Sequence, residues 1–313
     1  MNLIETLFIE ITTNCNLHCI HCGYKNKLPK TIPFDSIKKA ITRCLQYGLK
    51  TVVLTGGEPT LHPDLLEILR YCKQYNLNTK ITTNGNNLAS LLHCFKDNIV
   101  DQVVVSLDAS TNTTYKKIRG SDKFTEIWQD IKRLSEFNDK IGCSFLIQKT
   151  NYKELLPFLQ MCAENETTVS LLVPHNGSDF TYSLQGKEYS DVVFLSQEDI
   201  KWFQNNVVNK LILFYEQHKE MFKFSKNHLD AIIRYVTSEK ERAEVRTTVC
   251  SLPLRTLFLY SDQSVRLCPY HSECSYRNID LLIDDLVKAR MKFIFKCSQK
   301  GGACKKCLEV PLE

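Results

Sequence analysis

Three cysteines near the start of the chain, Cys15, Cys19 and Cys22, stand in the string CNLHCIHC with C-x3-C-x2-C spacing. Thiolates so spaced on one loop can converge on a single metal centre. A four-iron cubane wants four cysteine ligands, so a loop that supplies three leaves one iron open to a further partner. Such a cluster is a reagent instead of a wire. The same thiols could hold structural zinc, which takes four ligands and would draw its fourth from His18 or His21. Cys250, Cys268, Cys274, Cys297, Cys304 and Cys307 crowd the last quarter of the chain.

The flanks of the triad show what must position it. Thr6 to Thr12 is β-rich and roughly alternating, so the cysteines follow a first strand. After Pro33, Ile37, Ile41 and Leu45 share one helical stripe that Gly48 closes. Val52-Val53-Leu54 then runs into Thr55-Gly56-Gly57-Glu58-Pro59, a strand ending in bare backbone and a carboxylate. The rhythm continues with a helix over 62–76, a strand over 78–83 ending in Thr83-Asn84-Gly85, and a helix near 87–96. A strand from Gln102 to Leu107 ends at Asp108, and helices near 111–118 and 124–137 follow. A strand over 141–147, a helix over 152–165 and a strand over 168–173 complete the series. Alternating strands and helices predict right-handed βαβ units and a parallel sheet, with ligands gathering at the C-terminal strand ends.

The CNLHCIHC triad followed by a strand running into GGEP resembles the radical S-adenosylmethionine (SAM) superfamily. The resemblance implies an α/β fold, a partial (β/α)6 TIM-like barrel. It implies that Cys15, Cys19 and Cys22 hold a [4Fe–4S] cluster whose open iron is chelated by SAM. One electron then cleaves SAM to methionine and a 5′-deoxyadenosyl radical that abstracts hydrogen from a substrate. By the same resemblance Gly56, Gly57 and Glu58 bind the SAM amino group, and His21 supports the adenine. Ser106, Asp108 and Arg119 are similarly placed to meet the SAM carboxylate or ribose, and Asn84 to touch the cofactor. Read alone, Ser106 is a polar strand end, Asp108 a helix cap, Asn84 a turn residue and Arg119 a solvated charge.

Cys250 and Cys268 bracket two short apolar runs joined by a polar turn at Ser261–Ser264, which reads as a β-hairpin. Cys304 and Cys307 form a C-x2-C pair behind Gly301 and Gly302. This resembles the twitch domain, a shortened SPASM domain, in which such cysteines hold a second, auxiliary [4Fe–4S] cluster. Its usual hairpin glycine is replaced here by Gln263 or Ser264, and Cys274 and Cys297 compete as ligands. Zinc on the same four cysteines is the alternative. Four-cysteine ligation would make the second cluster an electron acceptor and favour oxidation of the substrate. Cys44, Cys72, Cys94, Cys143 and Cys162 are scattered singly and read as small core residues.

The resulting division is a core over 1–174, a helical insert or lid over 175–249 and an auxiliary-cluster domain over 250–313. In the insert, Ser196 to Asp199 reads as a capping box opening a helix with Ile200, Phe203, Val207, Leu211 and Phe214 on one side. A second helical run covers 226–246. His175 and Asn176 follow the last core strand, and His175 is a candidate base for a substrate hydroxyl.

Charge excludes little: 40 basic against 35 acidic residues, net +5, is too mild and dispersed to indicate nucleic acid. No apolar run approaches the ~20 residues of a membrane span, and no secretory signal precedes the first strand. Fourteen cysteines without such a signal point to a reducing cytoplasm and metal ligation. The expected activity is radical dehydrogenation of a small alcohol such as a sugar or aminocyclitol, fed by a flavodoxin- or ferredoxin-like donor. The early first strand, which leaves no room for a peptide-recognition extension, tilts the reading that way. Oxidation, crosslinking or epimerisation of a ribosomal peptide is the second reading, and a non-enzymatic zinc protein the third.

Overall fold

A computed structural model of the chain describes residues 3–135, 140–174, 193–238, 252–269 and 275–300. Six strands, β1 (Thr6–Thr12), β2 (Thr51–Gly56), β3 (Asn78–Thr83), β4 (Gln102–Ser106), β5 (Ile141–Leu146) and β6 (Thr168–Leu172), pair in parallel with each sequence neighbour. The helices between them are α1 (Phe34–Leu45), α2 (Leu65–Gln74), α3 (Leu92–Lys96), α4 (Asn112–Arg119), α5 (Phe124–Ser135) and α6 (Leu155–Ala163). The sheet is not closed; its order is β6-β5-β4-β3-β2-β1-β7-β8-β9. This is the expected α/β partial barrel.

Burial explains the packing. Leu7, Ile9 and Ile11 alternate along β1 and are wholly buried, as are Ile37, Ala40, Ile41 and Cys44 along α1. The two periods, 2 and 3.6, bring one face of each element into a shared core. Cys44, Cys72, Cys94, Cys143 and Cys162 all belong to that core, and burial pushes the Cys44 and Cys72 thiols up to about 12. The opposite face of β1 carries Phe8, stacked on Phe258 at 5.0 Å, and Glu10. The β1–β2 register shifts between Glu10 and Thr12, a break of the kind that re-aims a strand beside a site.

In the insert, the Ser196–Asp199 capping box is present and opens α7 (Gln197–Phe203). A π turn over Gln204–Val208 joins it to α8 (Asn209–Gln217), so the apolar stripe is carried by two helical pieces. The second run is α9 (Lys226–Thr237); its expected continuation to 246 lies outside the described residues. After α10 (Leu252–Arg255), the hairpin forms from β7 (Thr256–Leu259) and β8 (Val265–Arg266), and Gln263 takes the left-handed φ of +67°. β7 also lies parallel to β1, Thr6 opposite Thr256, so the hairpin extends the core sheet instead of hanging below it. β9 (Ser275–Tyr276), α11 (Ile279–Asp284) and α12 (Leu286–Lys300) complete the described chain.

Candidate active site

The cysteine loop springs from the tip of β1 and is held by backbone on two sides. Gly57 and Glu58 donate their N–H groups to Thr12 O at 2.8 Å and Asn14 O at 2.7 Å, and Ile20 N–H reaches Ile118 O at the end of α4 at 2.9 Å. The glycines are needed for this approach. A Cβ on Gly56 would stand 2.2 Å from Thr12 O, and one on Gly57 2.2 Å from Asn14 O. Gly56 also adopts φ +140°, which L side chains rarely reach.

Glu58 is wholly buried, and its carboxylate is committed to the protein. Oε1 accepts from Thr60 N at 3.0 Å, Thr60 Oγ1 at 2.8 Å and Thr83 Oγ1 at 2.7 Å, while Oε2 accepts from Asn84 N at 2.7 Å. It thereby locks the β2 tip to the β3 tip. Asn84, fixed this way, turns its side-chain amide to Cys15 Sγ at 3.7 Å and Asn16 Oδ1 at 2.8 Å.

On the β4 side, Asp108 is the hub. It is 1% exposed and holds a left-handed φ of +58°, uncommon for a residue other than glycine. Its Oδ1 accepts from Leu146 N at 2.7 Å, and its Oδ2 pairs with Arg119 and stands 3.8 Å from His21 Nε2. Arg119, the last residue of α4, lays Nη1 3.6 Å from Cys19 Sγ. Burial opposes the Arg119 charge, but Asp108 and Cys19 outweigh it and hold the guanidinium above its usual pKa. Burial lowers His21 to about 4 despite Asp108 and pushes the Cys22 thiol up to about 11. Ser106 shares a contact of 3.4 Å with Ser144 on β5.

Several buried atoms at these tips make no hydrogen bond of good geometry: His21 Nδ1, Arg119 Nε, and both amide atoms of Gln148, although the Gln148 amide lies near enough to the His21 ring to act on its charge. Unpaired buried polar groups are costly, so a polar ligand that met them would recover that cost. Together with three thiols on one loop, this donor set fits an iron–sulfur cluster with a polar molecule beside it. Among the described residues no three His, Cys, Asp or Glu side chains are set to hold a single metal ion. The structure thus brings Cys15, Cys19, Cys22, His21, Gly56, Gly57, Glu58, Asn84, Asp108 and Arg119 to one region, with Ser106 on the adjoining strand.

Gln148 escaped the sequence reading, although it follows β5 at the same level as Asp108 follows β4. Glu154 escaped it too. It accepts from Ser110, Thr111 and Thr114 at the start of α4, anchoring the helix that ends in Arg119. Of the second cysteine set, Cys268 is described, buried just beyond β8. Cys250, Cys274, Cys304 and Cys307 lie outside the described residues, as do His175 and Asn176. Cys297 falls within α12.

The family model of the radical SAM superfamily matches residues 9–162. The chain carries a radical SAM domain over those residues. The chain is 29% identical, across 172 residues, to the probable GTP 3′,8-cyclase of Pyrococcus horikoshii, covering 54% of this chain and 56% of the relative. The GTP 3′,8-cyclase of Limosilactobacillus fermentum is 32% identical over 173 residues, 52% of each chain. The chain spans about half the length of the curated relatives it matches. Two solved structures share the fold across nearly the whole chain. Streptococcus suis SuiB bound to S-adenosylmethionine is 17% identical with TM-score 0.67, over 91% of this chain and 66% of that one. The protein anSMEcpe with bound AdoMet and Cp18Cys peptide is 16% identical with TM-score 0.68, over 99% of this chain and 92% of that one. Among the described residues no helix is long and apolar enough to cross a membrane.

Proposed function

We propose that this radical SAM enzyme starts its reaction by reductive cleavage of SAM at the Cys15–Cys19–Cys22 loop and goes on to oxidise a peptide substrate. The observation that carries the first half is the set of side chains converging on the three thiols, with Asn84 and Arg119 aimed at two of the sulfurs. When bound there, a [4Fe–4S] cluster would supply the electron that converts SAM to methionine and the hydrogen-abstracting 5′-deoxyadenosyl radical. The protein's part is positional. Gly56 and Gly57 seat the cysteine loop, Glu58 locks the β2 and β3 tips, and Asp108 holds Arg119 and His21 towards the cofactor. Gln148 and the free Arg119 Nε offer hydrogen bonds to SAM.

The second half rests on the whole-chain likeness to SuiB and anSMEcpe, each also solved with a peptide bound. Cys268 at the end of the hairpin, with Cys250, Cys304 and Cys307, would hold the second cluster that accepts the substrate's electron. A flavodoxin- or ferredoxin-like protein would feed the first. A redox-neutral nucleotide cyclisation is the second reading, favoured by the GTP 3′,8-cyclase relatives that match about half of this chain. The small-alcohol dehydrogenation expected from sequence has no comparable support.

The deciding experiment is anaerobic reconstitution with iron and sulfide, followed by reduction in the presence of SAM. Formation of 5′-deoxyadenosine by the wild type, and its loss when Cys15, Cys19 and Cys22 are all alanine, supports the first half; equal formation by both sinks it. Deuterium carried into 5′-deoxyadenosine from a labelled peptide supports the peptide reading. Deuterium from labelled GTP replaces it with the nucleotide reading.

A further inference from the structure

We infer that Glu10 is a positioning residue that ties the third cluster cysteine to the C-terminal hairpin, an inference that deepens the reading of the cysteine loop given above. Glu10 lies near the end of β1, 4% exposed, and its carboxylate joins three segments distant in sequence. Oε2 accepts from Tyr24 Oη and from Lys27 Nζ at 3.0 Å. Oε1 accepts from Ser261 N at 3.3 Å and Ser261 Oγ at 2.7 Å, across 251 residues of sequence. Tyr24 and Lys27 belong to the turn that begins directly after Cys22, a 3-10 turn over Gly23–Asn26 closed by Lys27 N–H on Tyr24 O at 3.0 Å. The Lys27 ammonium also sits 4.2 Å above the Tyr24 ring. Ser261 opens the hairpin turn, from which β8 leads to Cys268.

The chemistry favours a latch over a mere filler. A buried carboxylate is tolerated only when its charge is met, and here one ammonium and three other donors meet it. The donors come from two separate segments, the turn after Cys22 and the hairpin turn, so the position of Cys22 is not set by its own loop alone. Loss of the Ser261 hydroxyl should therefore be felt at a cysteine more than two hundred residues away. The coupling does not pass through any metal ligand's side chain.

The test has two readouts. In cluster-free protein, hydrogen–deuterium exchange is followed for residues 19–27. Glu10→Gln and Ser261→Ala are expected to speed exchange there, roughly tenfold or more for a buried bond left unmade, while Ser261→Thr, which keeps the hydroxyl, restores the wild-type rate. In reconstituted protein, the SAM-induced change in the reduced electron paramagnetic resonance spectrum isolates the three-cysteine cluster. Ser261→Ala is expected to alter that difference spectrum. Exchange at 19–27 unchanged in Ser261→Ala, with faster exchange confined to the hairpin, overturns the inference even if Glu10→Gln unfolds. A wild type lacking any SAM-sensitive signal overturns the cluster reading instead, and the exchange data then still decide whether the latch exists.

Discussion

The strand-tip site and the C-terminal hairpin hold the same kind of side chain in different ways. At the tips of β1 to β4, the thiols share eight residues of one loop, and the neighbours aimed at them come from the end of β3 (Asn84) and the end of α4 (Arg119). In the hairpin, Cys268 is placed by a short antiparallel pair, and its proposed partners are 18 residues before it and 36 and 39 after it. The first site is made by the sheet; the second, as proposed, would be assembled from separated segments. A site made by parallel strands is pre-organised by backbone hydrogen bonds, so damage should reach it from afar only through a specific latch such as Glu10 with Ser261. A site gathered from distant segments depends on everything between them.

The largest effect should come from removing the triad. With Cys15, Cys19 and Cys22 changed to alanine, iron after reconstitution is expected to fall from about eight to about four per chain, with SAM cleavage abolished. A fall from about four to about none would leave the hairpin without a cluster and break the comparison at its second member. Chelator-resistant zinc in the triple variant would assign the C-terminal cysteines to zinc.

Next in size is Asp108→Ala. Asp108 pairs with buried Arg119, and removing one partner of a buried pair costs about 3–5 kcal/mol because the other charge stays uncompensated. Chemical denaturation of the cluster-free protein should show that loss, and Arg119 should then no longer be held beside Cys19. A change below 1 kcal/mol would mean that Arg119 finds water, and that the β4 tip is less pre-organised than the geometry argues. The left-handed φ of Asp108 adds a control: Asp108→Gly relieves the backbone but not the charge, so it should remain strongly destabilising.

Gly57→Ala is a smaller test of the same point. Its Cβ would meet backbone Asn14 O at 2.2 Å, and forcing an extra methyl into such a contact costs about 1–3 kcal/mol. Because the clash displaces the cysteine loop itself, cluster loading should drop by more than the loss in stability accounts for. Loading in proportion to stability would argue that the loop adapts.

How much of this was legible beforehand follows the same division. The parallel strands and the tip residues could be read because period-2 and period-3.6 patterns are local, and because each motif is contiguous. Even the unusual turn at Gln263 was visible as a missing glycine, and the structure gives it the φ that glycine would take. What could not be read depends on contacts with no local signature. Nothing near Glu10 announces Ser261, and β7 lies beside β1 through a pairing between residues 6 and 256. Glu58 was legible as a site residue but not in its bonds, since Thr60 and Thr83 look like ordinary strand-end threonines. Gln148 was missed because an amide two residues beyond a strand is common, and its unmet buried atoms appear only in three dimensions.

The smallest effect concerns Glu154, which supports the site from behind. Burial pushes its carboxyl upward, but hydrogen bonds from Thr114, Ser110 and Thr111 outweigh burial and hold it below the usual value. A carboxyl whose folded pKa lies below its unfolded one binds protons more weakly when folded. Its contribution is therefore complete above the unfolded value of about 4.3 and is lost as pH falls through the lower folded value. Stability of the cluster-free protein should decline through that acid range, and Glu154→Gln should flatten the decline while leaving the slope near neutral pH unchanged. The same variant should loosen the start of α4, where Thr111 caps the helix by accepting from the Thr114 N–H, before it disturbs Arg119 at the other end. Faster amide exchange at 111–115, with 118–120 protected as in the wild type, would show that the tip site tolerates damage one helix away. Equal loss at both ends would show that α4 responds as a unit, and that the strand-tip site, like the hairpin, depends on a distant anchor.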